Sequence, residues 1–164
     1  LFFDSPALLI QRLLFACSMI VLFVIDLEHR ILPDVITLPG IVLGFVFSLF
    51  LPPGWRASLI GIMLGGGSLW LMGELYFRIR HEEGMGFGDV KMLAMIGAFL
   101  GWKLMLLTLV LSSFLGSIVG VAIIAFHRGD MKYALPFGTF LAMGAIVAAT
   151  VGDRIIAWYT AFYY

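Results

Sequence analysis

Cysteine is almost missing from this chain: Cys17 is the single one among 164 residues, which excludes an internal disulfide framework and a zinc cluster built on thiolates. Its apolar neighbours predict an inert, packed thiol. Charge is scarce too, at 12% of residues, and ten cations balance ten anions. A neutral, sparsely charged chain offers no basic patch for nucleic acid, so its charges are informative only by position. Metal-binding spacing is lacking: there is no HExxH or HxxxH, and His29, His81 and His127 fall in three separate expected loops. No serine or cysteine shares a recognisable motif with any of these histidines, so nothing points to a nucleophilic triad. There is no low-complexity segment and no repeat of the kind that builds transporters from inverted halves. The first residue is Leu1 and residues 1–5 lack a basic n-region, so the chain reads as part of a longer product.

Apolar residues are what the chain has in excess. They make up 62% of it, and the mean hydropathy is +1.09, so the solvent for most side chains is a bilayer. A helix needs about 20 mostly apolar residues to cross the hydrocarbon. Dividing the chain at charges and Pro/Gly clusters gives six segments, roughly 6–27, 35–51, 57–77, 89–101, 104–126 and 135–158. The expectation is one all-α integral-membrane domain of six transmembrane helices, the fourth short enough to tilt or thin the bilayer. Alternating the spans gathers Arg30, Arg78, Arg80, Lys91, Arg128 and Lys132 on one side, which the positive-inside rule makes cytoplasmic. Trp55, Trp102, Trp158 and Tyr159 fall at the opposite interface, where amphipathic rings collect. The pairs Gly40/Gly44, Gly61/Gly65, Gly97/Gly101 and Gly116/Gly120 predict close helix packing.

Two acids stand apart from the solvated charges. Asp26 ends the apolar run Val21-Leu22-Phe23-Val24-Ile25, and Asp89 closes Gly84-Met85-Gly86-Phe87-Gly88-Asp89. A carboxylate beside an apolar run is costly to keep, which marks it for function, although a helix-end acid reaching the interface satisfies the same pattern. Asp89 equally suits a helix N-cap. The glycines before it permit positive φ and close backbone approach, as a loop receiving an extended peptide requires. The expected topology puts both acids at the cytoplasmic ends of their spans, at one depth, although they are 63 residues apart. Two aspartates sharing one proton supply both the base that activates water and the acid that polarises a peptide carbonyl.

Three ordered segments carry a family resemblance. Ile25-Asp26-Leu27-Glu28-His29-Arg30-Ile31-Leu32-Pro33-Asp34, with Leu38-Pro39 after it, resembles the first catalytic segment of type IV prepilin peptidases, which are GxGD intramembrane aspartic proteases. Glu83 to Ala94 resembles the second, the GxGD segment, continued by Gly97-Ala98 and Gly101. Pro136-Phe137-Gly138-Thr139-Phe140-Leu141-Ala142 is similar to the proline-containing start of the family's last core helix. The resemblance implies catalytic aspartates at Asp26 and Asp89, with Asp34 a rival for the first role that reads as a cap for the second span. It implies a substrate-side loop at Gly86 and Gly88, and a rim where Lys91 could tune Asp89. It further implies removal of the short basic leader from type IV prepilins or pseudopilins at the cytoplasmic face of the bacterial inner membrane, without a cofactor. Many bacterial members carry an amino-terminal domain with paired cysteine motifs, linked to N-methylation; those cysteines are not in this chain, so methylation by it is doubtful. A presenilin-like protease and an ion-coupled transporter are the alternatives; the transporter should hold acids in mid-span, where only Glu74 falls.

Overall fold

The computed structural model describes residues 6–81, 86–126 and 136–162, and the regular structure within them is helical. Five helices follow one another: α1 Pro6–His29, α2 Asp34–Ser48, α3 Trp55–Arg80, α4 Phe87–Phe126 and α5 Phe137–Ala161. Their bounds lie close to the expected spans, and where six were expected five helical elements are described, α4 being two helices joined across a kink. The two segments expected at 89–101 and 104–126 are one element, because no loop separates them. They meet at Gly101, whose φ of 77° and ψ of 172° are non-helical and which only a residue without a Cβ adopts readily.

Contacts on either side of Gly101 show what that backbone does. Before it, Leu93 faces Gly65 and Gly97 faces Gly61, so the first leg of α4 runs antiparallel to α3. After it, Leu104 faces Gly152, Ser112 faces Gly144 and Gly116 faces Phe140, so the second leg runs antiparallel to α5. The first turns of α4 and α5 lie at one end of the bundle, both against Leu32. The chain therefore leaves that end along the first leg and returns towards it along the second. A straight helix of 40 residues would be roughly 60 Å long, about twice the hydrocarbon thickness, so the reversal is what lets α4 fit a bilayer. Of the five helices, α1, α3, α4 and α5 are long and apolar enough to cross a membrane, and α2 has 15 residues.

The first leg of α4 is the core. Every residue from Met92 to Phe99 is buried, as an element apolar all round must be. Helix α1 reaches it through Phe15, whose ring lies 5.3 Å from that of Phe99. Helix α2 reaches it through Gly40 against Met95 and Gly44 against Phe99 and Ala98. Helix α3 comes closest, since a Cβ on Gly97 would land on the Gly61 carbonyl. Ser58 in α3 donates a hydrogen bond to the Ala98 carbonyl at 2.8 Å. Without a hydrophobic drive between helices in lipid, such backbone contact and interhelical hydrogen bonding hold the bundle. The outer faces expose Val35, Val42, Met63, Val110 and Phe114, the surface a bilayer solvates. Cys17 belongs to that outer face; it is exposed, not packed as its neighbours implied.

The glycines divide into contact and non-contact positions, and stability separates them. Gly97→Ala should lower the thermal midpoint in detergent by the equivalent of about 1–3 kcal/mol, because two backbones must part. Gly67→Ala, whose Cβ would meet nothing within 4 Å, should leave the midpoint unchanged or raise it, by up to about 1 kcal/mol of helix propensity. Equal losses at the two positions would show that direct α3–α4 backbone contact is not what holds these helices.

Candidate active site

Helix α1 ends where Arg30 turns into the left-handed region at φ 54°, with its N–H donating to the Asp26 carbonyl at 2.9 Å. That leaves the Asp26 side chain in the last turn, where it is 4% exposed. Helix α5 begins after Pro136, which has no side-chain oxygen to cap the orphan N–H groups of the first turn. Asp26 takes over that task from 113 residues away: its Oδ2 accepts the Thr139 N–H at 2.6 Å and the Thr139 hydroxyl at 2.9 Å. Gly138 makes room for this, since a Cβ there would lie 2.9 Å from Asp26 Oδ2. Burying a carboxylate costs several kcal/mol. Two hydrogen bonds to a charged group, at about 1.5–3 kcal/mol each, and the positive end of a helix dipole, about 0.3–2 kcal/mol, offset a cost of that size.

Asp89 is the third residue of α4, half-buried, with its N–H directed to the Gly86 carbonyl at 3.2 Å. It is therefore inside the first turn and not the N-cap residue. No hydrogen-bond donor to the Asp89 carboxyl is present among the described residues, in contrast to Asp26. What brings the two helix starts together is Leu32, 8% exposed, in the link between α1 and α2. A Cβ on Gly88 would lie 2.8 Å from Leu32 Cβ, and one on Gly138 would lie 2.9 Å from Leu32 Cδ1. Leu32 thus separates the glycine before Asp89 from the glycine before Thr139. Gly88 does not have positive φ, so the conformational reason expected for it is replaced. Gly88 is small because Leu32 touches it, whereas a Cβ on Gly86 would find its nearest neighbour, Asp89 Oδ2, at 3.9 Å.

Two other expectations change. Lys91 does not engage Asp89; its Nζ lies 2.7 Å from both oxygens of Asp34, tying the start of α2 to α4. Asp34 is exposed and in the first turn of α2, where Pro33 holds the N-cap position, so it acts as an ion-pair partner instead of a cap. Glu74, the one acid expected inside a span, pairs with Arg78 one turn on at 2.9 Å. Glu82, Glu83, Gly84, Met85, His127, Arg128 and Lys132 lie outside the described residues. Sequence reasoning placed Thr139 and Leu32 inside the family segments but gave neither a role. A readable signal was present for Thr139: a threonine in the first turn of a helix whose proline N-cap cannot serve the orphan N–H groups.

Comparison with known proteins places the chain in a family. A model of the type IV leader peptidase family matches residues 13–121. The chain is 40% identical over 145 residues to a prepilin leader peptidase/N-methyltransferase of Pseudomonas putida, covering 85% of this chain and 49% of that protein. It is 37% identical over 153 residues to the protein of that name from Pseudomonas aeruginosa, covering 92% and 52%, and 33% identical over 159 residues to that of Legionella pneumophila, covering 94% and 54%. The chain spans about half the length of the curated relatives it matches. No solved structure matches it.

The packing at Leu32 predicts an asymmetry between glycines. Gly138→Ala should lower the thermal midpoint clearly, because both Asp26 and Leu32 must move, while Gly116→Ala, whose Cβ would sit in ordinary contact with the Phe140 ring at 3.6 Å, should not. Adding Leu32→Ala to Gly138→Ala should recover part of the loss, since it removes one of the two clashes. Independent, additive effects of the two substitutions would contradict the contact.

Proposed function

The chain belongs to the type IV leader peptidase family, and from that membership we propose that it carries the membrane-embedded aspartic endopeptidase that removes the short basic leader from type IV prepilins or pseudopilins. The observation that carries the reading is the buried Asp26 carboxylate, held by the first turn of α5 through Thr139, at the same end of the bundle as the half-buried Asp89 in the first turn of α4, with Leu32 packed against both helix starts. In the bilayer, α4 makes two crossings around Gly101, so the domain crosses six times and both acids lie at the cytoplasmic face of the inner membrane. The clustering of Arg78, Arg80 and Lys91 at this end supports that orientation.

The roles follow from what each carboxyl touches. Asp26 Oδ2 is occupied by Thr139, so its other oxygen takes a proton from the attacking water. Asp89, on which no described residue fixes a donor, gives its proton to the scissile carbonyl oxygen. Water oxygen bonds to the carbonyl carbon, forming a gem-diol. Its collapse breaks the C–N bond, the proton held by Asp26 passes to the departing amine, and a diol proton returns to Asp89. The products are the leader carboxylate and a new pilin amino terminus. Asp34 and Lys91 hold α2 against α4 and take no proton in this scheme.

Asp26→Asn and Asp89→Asn should each abolish prepilin cleavage in a detergent-solubilised assay, and the double variant should be little worse than either, because members of a dyad act as a unit. Both should insert and fold, since an asparagine oxygen still accepts the Thr139 bonds. Asp34→Asn should retain measurable cleavage, and Thr139→Val should lower kcat about tenfold or more through loss of one bond to a charged group. A dead Asp34→Asn beside an active Asp26→Asn would transfer the first role to Asp34.

A further inference from the structure

The buried residues of α3 fall on one line, Ser58, Gly61, Gly65 and Leu69, three or four positions apart. That line is the seam with the first leg of α4. Gly61 meets Gly97 and Gly65 meets Leu93, so each turn forward on α3 is a turn back on α4. One further turn puts Leu69 level with Asp89. Helix α3 runs on to Arg80, roughly 16 Å beyond that level. The line continues through Met72, Tyr76 and Ile79, but burial ends at Leu69: it is 2% exposed, and the next three are 59%, 43% and 69% exposed. Three apolar side chains in register with an interhelix seam therefore stand open past the start of α4. On the opposite face Glu74 and Arg78 pair with each other at 2.9 Å, so neither charge lies on this strip.

We propose that Met72, Tyr76 and Ile79 form the docking strip for the substrate residues that directly precede the scissile bond. The proposal rests on the leader-peptidase reading above and adds to it the surface that holds the leader. Continuity with the seam gives the position: the strip starts roughly 4–5 Å past the level of Asp89, where the neighbours of a peptide bond held at the carboxyls would lie. From Met72 to Ile79 it is roughly 10 Å long, the length of about three extended residues. It lies on the same side of Asp89 as Arg78 and Arg80, the cytoplasmic side in the orientation proposed above. The positive-inside rule keeps a basic leader on that side. An apolar strip holds basic residues by their stems: Lys and Arg lay their methylenes along Met72 and Ile79, and a cation over the Tyr76 ring is attracted by its π face. Arg80 ends α3 beyond the strip and repels a further cation, which confines the contact to the residues nearest the cut.

The test puts p-benzoylphenylalanine in place of Tyr76, Met72 or Trp70 in the intact Asp89→Asn chain in lipid nanodiscs, irradiates it with a prepilin-derived peptide and maps the adducts by mass spectrometry. Adducts are expected from the first two positions, within three residues before the cut. None is expected from Trp70, which is exposed but turned off the line. In the active chain, Tyr76→Ala should raise KM about tenfold with kcat changed less than about twofold, and Tyr76→Phe, which keeps the ring, should stay within about twofold of the original KM. Adducts confined to lipid, to a second copy of the chain or to residues after the cut would overturn the proposal, as would an unchanged KM in a folded Tyr76→Ala variant. Those outcomes leave the leader-peptidase reading standing as long as the unsubstituted chain cleaves the peptide. A folded, unsubstituted chain that cleaves no prepilin would overturn both.

Discussion

A carboxylate at the end of α1 satisfies the N–H groups at the start of α5, and the rest of the bundle is arranged so that this long-range contact can form. Each side supplies what the other lacks. The first turn of α5 has orphan donors and a proline that cannot cap them; Asp26, buried at 4% exposure, needs donors to remain there at all. Removing either partner leaves a buried polar group unpaired in a low-dielectric surrounding. The contact is structural, and in the proposed mechanism it also fixes one carboxyl oxygen and leaves the other to act.

Small residues make this arrangement accessible. Gly138 lets α5 reach Asp26, Gly88 lets α4 reach Leu32, and the mutual approach of Gly61 and Gly97 brings α3 onto the buried leg of α4. Gly101 performs a different task, reversing the chain by a backbone conformation that other residues rarely adopt. The outcome is a buried helical leg, Met92 to Phe99, surrounded by α1, α2 and α3, with Asp89 at its start. Burial on all sides explains why this leg is apolar around its whole circumference and why it need not span the bilayer unaided.

Hydropathy alone located the helices, because a run of apolar residues bounded by charges has little choice in lipid. The junction at Gly101 was legible as a boundary but not as a turn without a loop, since a single glycine carries no signal of its φ. Asp26 and Asp89 stood out by the cost of acids beside apolar runs. Their surroundings did not. Thr139 is 113 residues from Asp26, and no local pattern announces a cap supplied by another helix. Lys91 was associated with Asp89 by nearness in sequence, whereas on a helix residues two positions apart face different ways, and Lys91 meets Asp34 instead. The expected freedom of Gly88 gave way to a packing reason, the nearness of Leu32, which appears only when the α1–α2 link is in place.

The central claim is that Asp26 and Asp89 act together on one peptide bond. It is tested most directly by a structure of the protein with a prepilin-derived peptide in which a hydroxyethylene group replaces the scissile bond. The account predicts the hydroxyl within about 2.6–3.2 Å of a carboxyl oxygen of each aspartate, with Asp26 Oδ2 still bound to Thr139. A hydroxyl held by only one of the two, with the other carboxyl turned to a different face of the bundle, would contradict it.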